Sequence, residues 1–410
     1  MAVETVRGFR DVLYPEAVKR QKIKEVIEKN FKLFGFLPIE TPSIEYEELA
    51  KGENEKDEAV SDRFRLKDRG NRDLALRYEF TFQLKRIFKE NPNIKLPFRR
   101  YQIGYVFRDE PVEKNRYREF IQCDADIIGD ASIKADAECL ALADKICKEL
   151  EIKYILKVNN RKLLSSILKR LDITDTENIL RVLDKLNEKK CCLNDKEIAM
   201  NEDAVKKELL KYADKLQILS LFKILNKDLA FFVNGKYEGS EEVKELVRLC
   251  RIYKIKVVFS PFLFRGLSYY TGNIFEAYNP EVKGSIFAGG RFDNLVGKFI
   301  NRKIPAVGIS FGRILDYSDV KVDNVKCLII SIKQDNKAIE LANKLRGKGI
   351  SCFMIDKVSK GLEYADSYNI KKVIFLGKEE VKKKKYKLRD MVNGKEEMVG
   401  ERELMEKLGN

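Results

Sequence analysis

Between Phe107 and Gly129 the chain reads FRDEPVEKNRYREFIQCDADIIG, the densest run of chemically active side chains in the sequence. Arginines stand at 108, 116 and 118, and a guanidinium fork suits phosphate oxygens better than an ammonium group does. Phe98 to Arg108 is rich in aromatic and β-branched residues, a charged loop with Pro111 follows, and Tyr117 to Ile128 resumes a strand-like pattern. This predicts an antiparallel hairpin with a long loop. Strand side chains alternate, so Phe120, Gln122, Asp124 and Asp126 share one face, and Ile121, Cys123, Ala125 and Ile127 the other. The first face is a candidate wall of a nucleotide pocket; the second packs on the core. A single arginine here reads as surface solvation. Carboxylates and an amide on one covered face, with arginines at its edge, require a ligand or partners.

Composition narrows the chemistry. With no histidine in 410 residues, no Ser-His or Cys-His nucleophile pair and no imidazole base can form. Reaction must rest on arginines, carboxylates, a bound metal or positioning. The eight cysteines lack paired metal-ligand spacing, so no metal ligand set is assigned and reduced, mostly buried thiols are expected. The 80 Lys and Arg against 65 Asp and Glu leave a net charge of +15, which points to a polyanionic partner. The length suggests two or three domains. No apolar run approaches about 18 residues, and MAVETVRGFRD has no apolar signal region, so a cytoplasmic protein without membrane spans is expected.

The elements that must position these residues follow from periodicity. Pro15 opens a helix with Ile23, Val26, Ile27, Phe31 and Phe34 at helical spacing, and Gly35 is placed to end it. Phe36 to Thr41 is extended and leads into Pro42. Phe64 to Asp68 and Leu74 to Tyr78 read as strands around the turn Arg69-Gly70-Asn71, with Ala75, Arg77, Glu79 and Thr81 on one face if the alternation persists. Thr81 reads first as the cap of a helix from Phe82 to Lys89, whereas Glu79 is equally a helix-terminus carboxylate or a receptor for a ligand ammonium. Ala135 to Leu150 is helical, Tyr154 to Val158 a strand, and about 161 to 251 a lysine-rich helical insertion. Sheet pattern returns at Lys256 to Ser260 and Ile274 to Tyr278. Tyr269 and Tyr270, flanked by glycines, suggest a pocket rim, and Gly289-Gly290 a close backbone approach. From about Val325, strands at 327 to 332, 352 to 355 and 372 to 376 alternate with helices, as in a small α/β domain. Lys382 to Lys385, Tyr386 and Lys387 form a basic patch with an aromatic, suited to nucleic-acid contact.

Taken in order, these pieces resemble the histidyl-tRNA synthetases over nearly the whole chain. GFRDVLYPE (8 to 16) is similar to that family's opening, the helix, strand and Pro42 to the first class II motif, and Phe107 through Gln122 to the second. RGLSYYTG (265 to 272) and AGGRFD (288 to 293) resemble the two histidine-specific signatures, and VGISFGRI (307 to 314) the third motif. The resemblance implies an α+β fold: an antiparallel-sheet class II catalytic domain, 1 to 322, with the helical insertion, and an anticodon-binding α/β domain, 323 to 410. It also implies a homodimer that uses ATP and Mg²⁺ to join histidine to its tRNA through a histidyl-adenylate.

Residue by residue, it implies that Arg108 contacts the α-phosphate, Glu110 the adenine region and Arg116 the triphosphate tail, with Phe120 and Arg313 in the same ATP set. Glu79, Thr81 and Gln122 would hold the amino-acid ammonium and its surroundings, Asp126, Tyr269 and Tyr270 the imidazole side, and Arg265 would bridge the carboxylate and α-phosphate. Arg265, Arg108 and Gln122 would form the catalytic set. Three departures stand out: Asn115 where the family has glycine, Ser268 where it has aspartate, and Gly312 followed directly by Arg313, two residues short. Either Arg313 still reaches ATP or the arginine is displaced. The rival reading is a synthetase-like regulatory or tRNA-binding protein of weak or no activity. Retention of Glu79, Arg108, Gln122, Asp126, Arg265 and Tyr270 favours catalysis.

Overall fold

The computed structural model describes residues 3–50, 62–112, 116–190, 195–264, 269–279, 285–312, 314–316 and 325–409. The chain divides into two units, Met1–Asp11 with Ile23–Tyr317, and Val12–Lys22 with Ser318–Asn410.

Among the described residues the first unit has eleven strands: β1 (Leu37–Pro38), β2 (Ile44–Tyr46), β3 (Arg65–Lys67), β4 (Asp73–Leu76), β5 (Phe98–Phe107), β6 (Glu119–Ile128), β7 (Ile155–Asn160), β8 (Val257–Phe259), β9 (Asn273–Tyr278), β10 (Ser285–Arg291) and β11 (Ala306–Phe311). Eight of them form one sheet in the order β1-β5-β6-β11-β10-β9-β7-β8. Pairing is antiparallel from β5 through to β7, with β1 parallel to β5 and β8 parallel to β7 at the two edges. The expected hairpin is β5–β6, and its register sets Arg100 opposite Asp126. Ile121, Cys123, Ala125 and Ile127 are buried on the face expected to pack on the core. Against the sheet lie the part of the helix Glu16–Leu33 from Ile23 onward, whose Phe31 ring is 5.3 Å from that of Tyr101 and 6.1 Å from that of Phe311, and the helix Ile133–Glu149. In the first, Ile23, Ile27 and Phe31 recur every four residues and are fully buried, and Gly35 beyond its end takes φ +74°, where a side chain would be strained.

The small sheet β2-β4-β3 differs from expectation at its exit. Strand β4 stops at Leu76, so the alternating face does not run on to Thr81. Arg77 turns inward and donates to the Tyr105 and Thr41 carbonyls at 2.6 and 2.8 Å. Thr81 does not cap the helix Gln83–Glu90; Phe82 occupies that position with no side-chain bond, which frees the Thr81 hydroxyl for other use.

Among the described residues the lysine-rich insertion forms six helices, Arg161–Arg170, Thr176–Lys190, Asp195–Leu209, Lys215–Leu225, Leu229–Asn234 and Ser240–Ile252. Asp214 and Asp228 cap two of them by accepting from Gln217 N and Phe231 N. Its apolar core, with Leu163, Ile167, Leu221 and Phe232, is continuous with Phe264, Tyr270 and Ile274.

The second unit has a five-stranded sheet in the order β13-β12-β14-β15-β16. Its strands are β12 (Cys327–Ser331), β13 (Cys352–Ile355), β14 (Lys372–Leu376), β15 (Tyr386–Asp390) and β16 (Glu396–Val399). The parallel β13-β12-β14 set, joined through Asp335–Gly347 and Val358–Ser367, is the α/β alternation expected. The β15–β16 hairpin was not anticipated. It changes the reading of the basic patch: the half-buried Tyr386 donates to Glu401 Oε2 at 3.4 Å and Lys387 pairs with Glu396 at 2.6 Å, while Lys382 to Lys385 stay exposed. Cys123, Cys139, Cys147, Cys250, Cys327 and Cys352 are free and buried; Cys191 and Cys192 lie outside the described residues.

Candidate active site

The ten described residues to which the family resemblance assigns a role line one pocket: Glu79, Thr81, Arg108, Glu110, Arg116, Phe120, Gln122, Asp126, Tyr269 and Tyr270; Arg118, the third arginine of the hairpin, does not, and instead donates to Glu110 O at 2.9 Å and pairs with Asp109 at 3.2 Å. Arg265 and Arg313, like Asn115 and Ser268, lie outside the described residues. Strand β6 supplies the back wall through Phe120, Gln122, Asp124 and Asp126, the face predicted by alternation. Beside it runs β11, whose Ser310 faces Asp124 and whose Gly308 faces Asp126. A Cβ at Gly308 would fall 1.7 Å from Asp126 Oδ1, so only glycine lets that carboxylate lie over the neighbouring strand.

The pocket has two chemically different ends. At one, the Arg108 guanidinium lies over the Tyr78 and Phe120 rings, 4.3 and 5.1 Å from their centroids, with Nη1 3.9 Å from Glu110 Oε1. Arg116 makes a close ion pair with Glu110. This end presents guanidinium groups held by rings and a carboxylate, as phosphate recognition requires.

The other end is a floor of acceptors. Glu79 Oε1, Gln122 Oε1 and Asp124 Oδ1 are buried and have no hydrogen-bond partner among the described residues. Tyr269 donates to Glu79 Oε2 at 3.0 Å, and Gln122 Nε2 donates to Ser310 Oγ at 3.0 Å. Burial and the nearby Glu79 hold the Tyr269 phenol well above its usual range, so it remains a donor. Burial likewise pushes the Glu79 and Asp124 carboxyls up to about 7 and Asp126 to about 6. Arg100 opposes that shift at Asp124 and Asp126; fully buried, it pairs with Asp126 and donates to Phe80 O at 3.2 Å. Unpaired buried acceptors are costly, and a ligand rich in N–H donors removes the cost.

Sequence reading missed Arg100, Ser310 and Gly308. The signal for Arg100 was cross-strand pairing, which needs the hairpin register, and a loop of uncertain length leaves that register open.

Comparison with known proteins agrees with this geometry. The family profile "Histidyl-tRNA synthetase" matches residues 8–313 and "Anticodon binding domain" matches 326–410. Histidine--tRNA ligase 1 of Bacillus cereus is 34% identical over 424 aligned positions, covering 97% of each chain. The crystal structure of histidyl-tRNA synthetase from Nostoc sp. PCC 7120 superposes with TM-score 0.84 at 24% identity, over 100% of this chain and 99% of that one. A Bacillus halodurans structure described as an ATP phosphoribosyltransferase regulatory subunit/histidyl-tRNA synthetase shares the fold at TM-score 0.73 and 22% identity, covering 92% and 98%. An antiparallel-rich catalytic sheet followed by an anticodon-binding sheet unit is an aminoacyl-tRNA synthetase architecture. Within that class, the chain belongs to the histidyl-tRNA synthetase family.

Proposed function

We propose that the protein ligates histidine to its tRNA in two steps, through a histidyl-adenylate. The observation that carries this reading is the polarity of the pocket, with unpartnered buried acceptors at one end and ring-backed arginines at the other. The amino-acid ammonium is assigned to Glu79, Thr81 and Gln122, and the imidazole N–H groups to Asp126 with Tyr269 and Tyr270. Arg108 takes the α-phosphate, Glu110 and Phe120 the adenine side, and Arg116 the triphosphate tail. Arg265 and Arg313 take their roles from the family resemblance alone.

A carboxylate needs no base to become a nucleophile, so activation is alignment and charge neutralisation. The histidine carboxylate attacks the α-phosphorus, pyrophosphate leaves with its negative charge, and Arg108 neutralises the charge that develops. Magnesium, where bound with ATP, would offset phosphate charge as the leaving group departs; among the described residues no group of three acidic or thiol side chains is placed to ligate an ion by itself. A ribose hydroxyl of the tRNA end then attacks the adenylate carbonyl, and with no protein imidazole available a phosphate oxygen takes the proton. Selectivity follows from the floor, because an amino acid without ring N–H groups leaves the Asp126 side unpaired.

The remaining assignments belong to the same reading: a catalytic domain 1–322 with the insertion at about 161–251, an anticodon-binding domain 323–410, a homodimer and a cytoplasmic location. No described helix is long and apolar enough to cross a membrane. ATP-pyrophosphate exchange with each amino acid in turn, without tRNA, tests the central step. Exchange with histidine alone is expected; no exchange with any amino acid would replace the reading with a tRNA-binding or regulatory relative.

A further inference from the structure

Beside the pocket runs a buried polar chain that the chemistry above does not use. Asn160, the last residue of β7, caps the first helix of the insertion by accepting from Lys162 N at 2.9 Å. Its Nδ2 donates to Glu242 Oε2 at 2.8 Å and to Asn273 Oδ1 at 2.9 Å. Glu242 sits in the first turn of Ser240–Ile252, the helix by which the insertion returns to the sheet. This amide gathers the outgoing and returning legs together with the more exposed ion pair of Lys162 Nζ with Glu242 Oε1. Asn273 Nδ2 continues to Asp136 Oδ1 at 3.2 Å, and Asp136 accepts from Arg291 Nε at 3.1 Å. Arg291 ends the chain by donating to the Asp130 and Ser132 carbonyls at 3.0 and 2.9 Å. Asn160, Asn273 and Asp136 are fully buried and Arg291 nearly so.

Both ends of this chain meet the pocket. Arg291 O accepts from Thr271 N at 2.8 Å, directly after Tyr270. The preceding Gly290 is the seat of the Tyr270 ring, where an added Cβ would lie 2.9 Å from the ring edge. From the other side, Gly272 O accepts from Arg161 N at 2.8 Å, and Tyr270 belongs to the same apolar cluster as Leu163, Ile167 and Phe232 of the insertion. Tyr270 is thus held between the module's core and a strand that the polar chain ties to the module's two legs.

We propose that Glu242, Asn160, Asn273, Asp136 and Arg291 act as positioning residues through which the inserted helical module sets the seat of Tyr270, and hence histidine affinity. The inference rests on the pocket assignment above. By linkage, histidine in the pocket steadies the module to the same degree that the module steadies the pocket.

Asn160→Asp tests this, because the carboxylate keeps the cap on Lys162 N and loses the amide donor to Glu242 and Asn273. The KM for histidine in pyrophosphate exchange is expected to rise about tenfold, with the KM for ATP changed by less than about twofold. Adding Glu242→Gln supplies a donor to the new carboxylate and rejoins the two legs, but not the link to Asn273. The double variant is expected to regain the thermal midpoint and keep the raised histidine KM. Saturating histidine should also slow amide exchange in Arg161–Arg170 of the wild type and leave it unchanged in Asn160→Asp. A KM that returns together with the midpoint, or one that never moves, would overturn the proposal. Should Asn160→Asp not fold, Glu242→Ala replaces it: its side chain is 29% exposed, and a threefold rise is expected, on the order of one weakened polar link, with no rise counting against the chain. Wild-type protein without histidine-dependent exchange would overturn both this inference and the pocket assignment, whereas normal wild-type exchange with unaltered variants would overturn this inference alone.

Discussion

Asp136 and the pocket carboxylates Glu79, Asp124 and Asp126 are equally hidden, at 0, 4, 4 and 3% exposure, yet their oxygens are treated in opposite ways. Asp136 has both oxygens engaged, by Asn273 Nδ2 and by the Arg291 fork. Among the described residues, Glu79 and Asp124 each keep an oxygen without a partner, and Arg100 is the buried arginine that serves the pocket floor. Burial raises all four carboxyls above their ordinary values. The difference lies in hydrogen bonding: a satisfied buried acid fastens elements together, and an unsatisfied one is complementary to something that arrives.

That contrast can be broken by neutralising one acid of each kind. Asp136→Asn leaves the buried Arg291 guanidinium with only the more exposed Asp293 as its anion, and should cost about 3 kcal/mol in urea unfolding, the low end for a broken buried pair. Glu79→Gln removes a charge that has no cation bonded to it, so the protein should be as stable as before or slightly more so. Its KM for histidine should rise about 10–100-fold through loss of a charge-assisted bond worth about 1.5–3 kcal/mol. Equal destabilisation by the two changes would erase the distinction.

Titration sharpens it. Between pH 4 and 7 the unfolded chain has released the protons of Glu79, Asp124 and Asp126 that the folded protein still holds, because the folded values lie at about 7, 7 and 6 against 4.5, 3.8 and 3.8. The folded state binds more protons at these three sites there, so their contribution to stability should be greatest near pH 4 and decline as pH rises to 7, a slope that Glu79→Gln should make shallower. Saturating histidine should flatten that decline, since its N–H groups favour the ionised floor; a slope indifferent to histidine would place the responsible groups elsewhere. The smallest effect belongs to Thr81→Ala. A helix cap would cost about 1 kcal/mol when lost, but Phe82 occupies the cap position, so a change below about 0.5 kcal/mol is expected, together with a modest rise in histidine KM.

The legibility of the site followed the range of the interactions. The face of β6 was readable because a strand repeats every two residues, and Phe120, Gln122, Asp124 and Asp126 all line the pocket. Family-like motifs carried Glu79, Tyr269 and Tyr270 into the same place across long stretches of chain. Arg100 was not readable, since its partner is fixed by hairpin register. The cap reading of Thr81 failed because the helix begins at Gln83, one residue later than read, which puts Phe82 at the cap, and the shared face does not reach it because β4 ends at Leu76. The link between Asn160 and Asn273 spans 113 positions and has no local pattern at all. In the second unit the parallel α/β part was legible from alternating apolar runs, whereas Tyr386 and Lys387 looked available until β15 and its partners were placed.

The acceptor-lined floor also opens a spectroscopic window. The chain contributes no imidazole of its own, so a bound ¹⁵N-labelled histidine would be the sole ring of its kind in the sample. Its two nitrogen shifts would report directly which protons the floor retains, without selective labelling of the protein or assignment of its resonances.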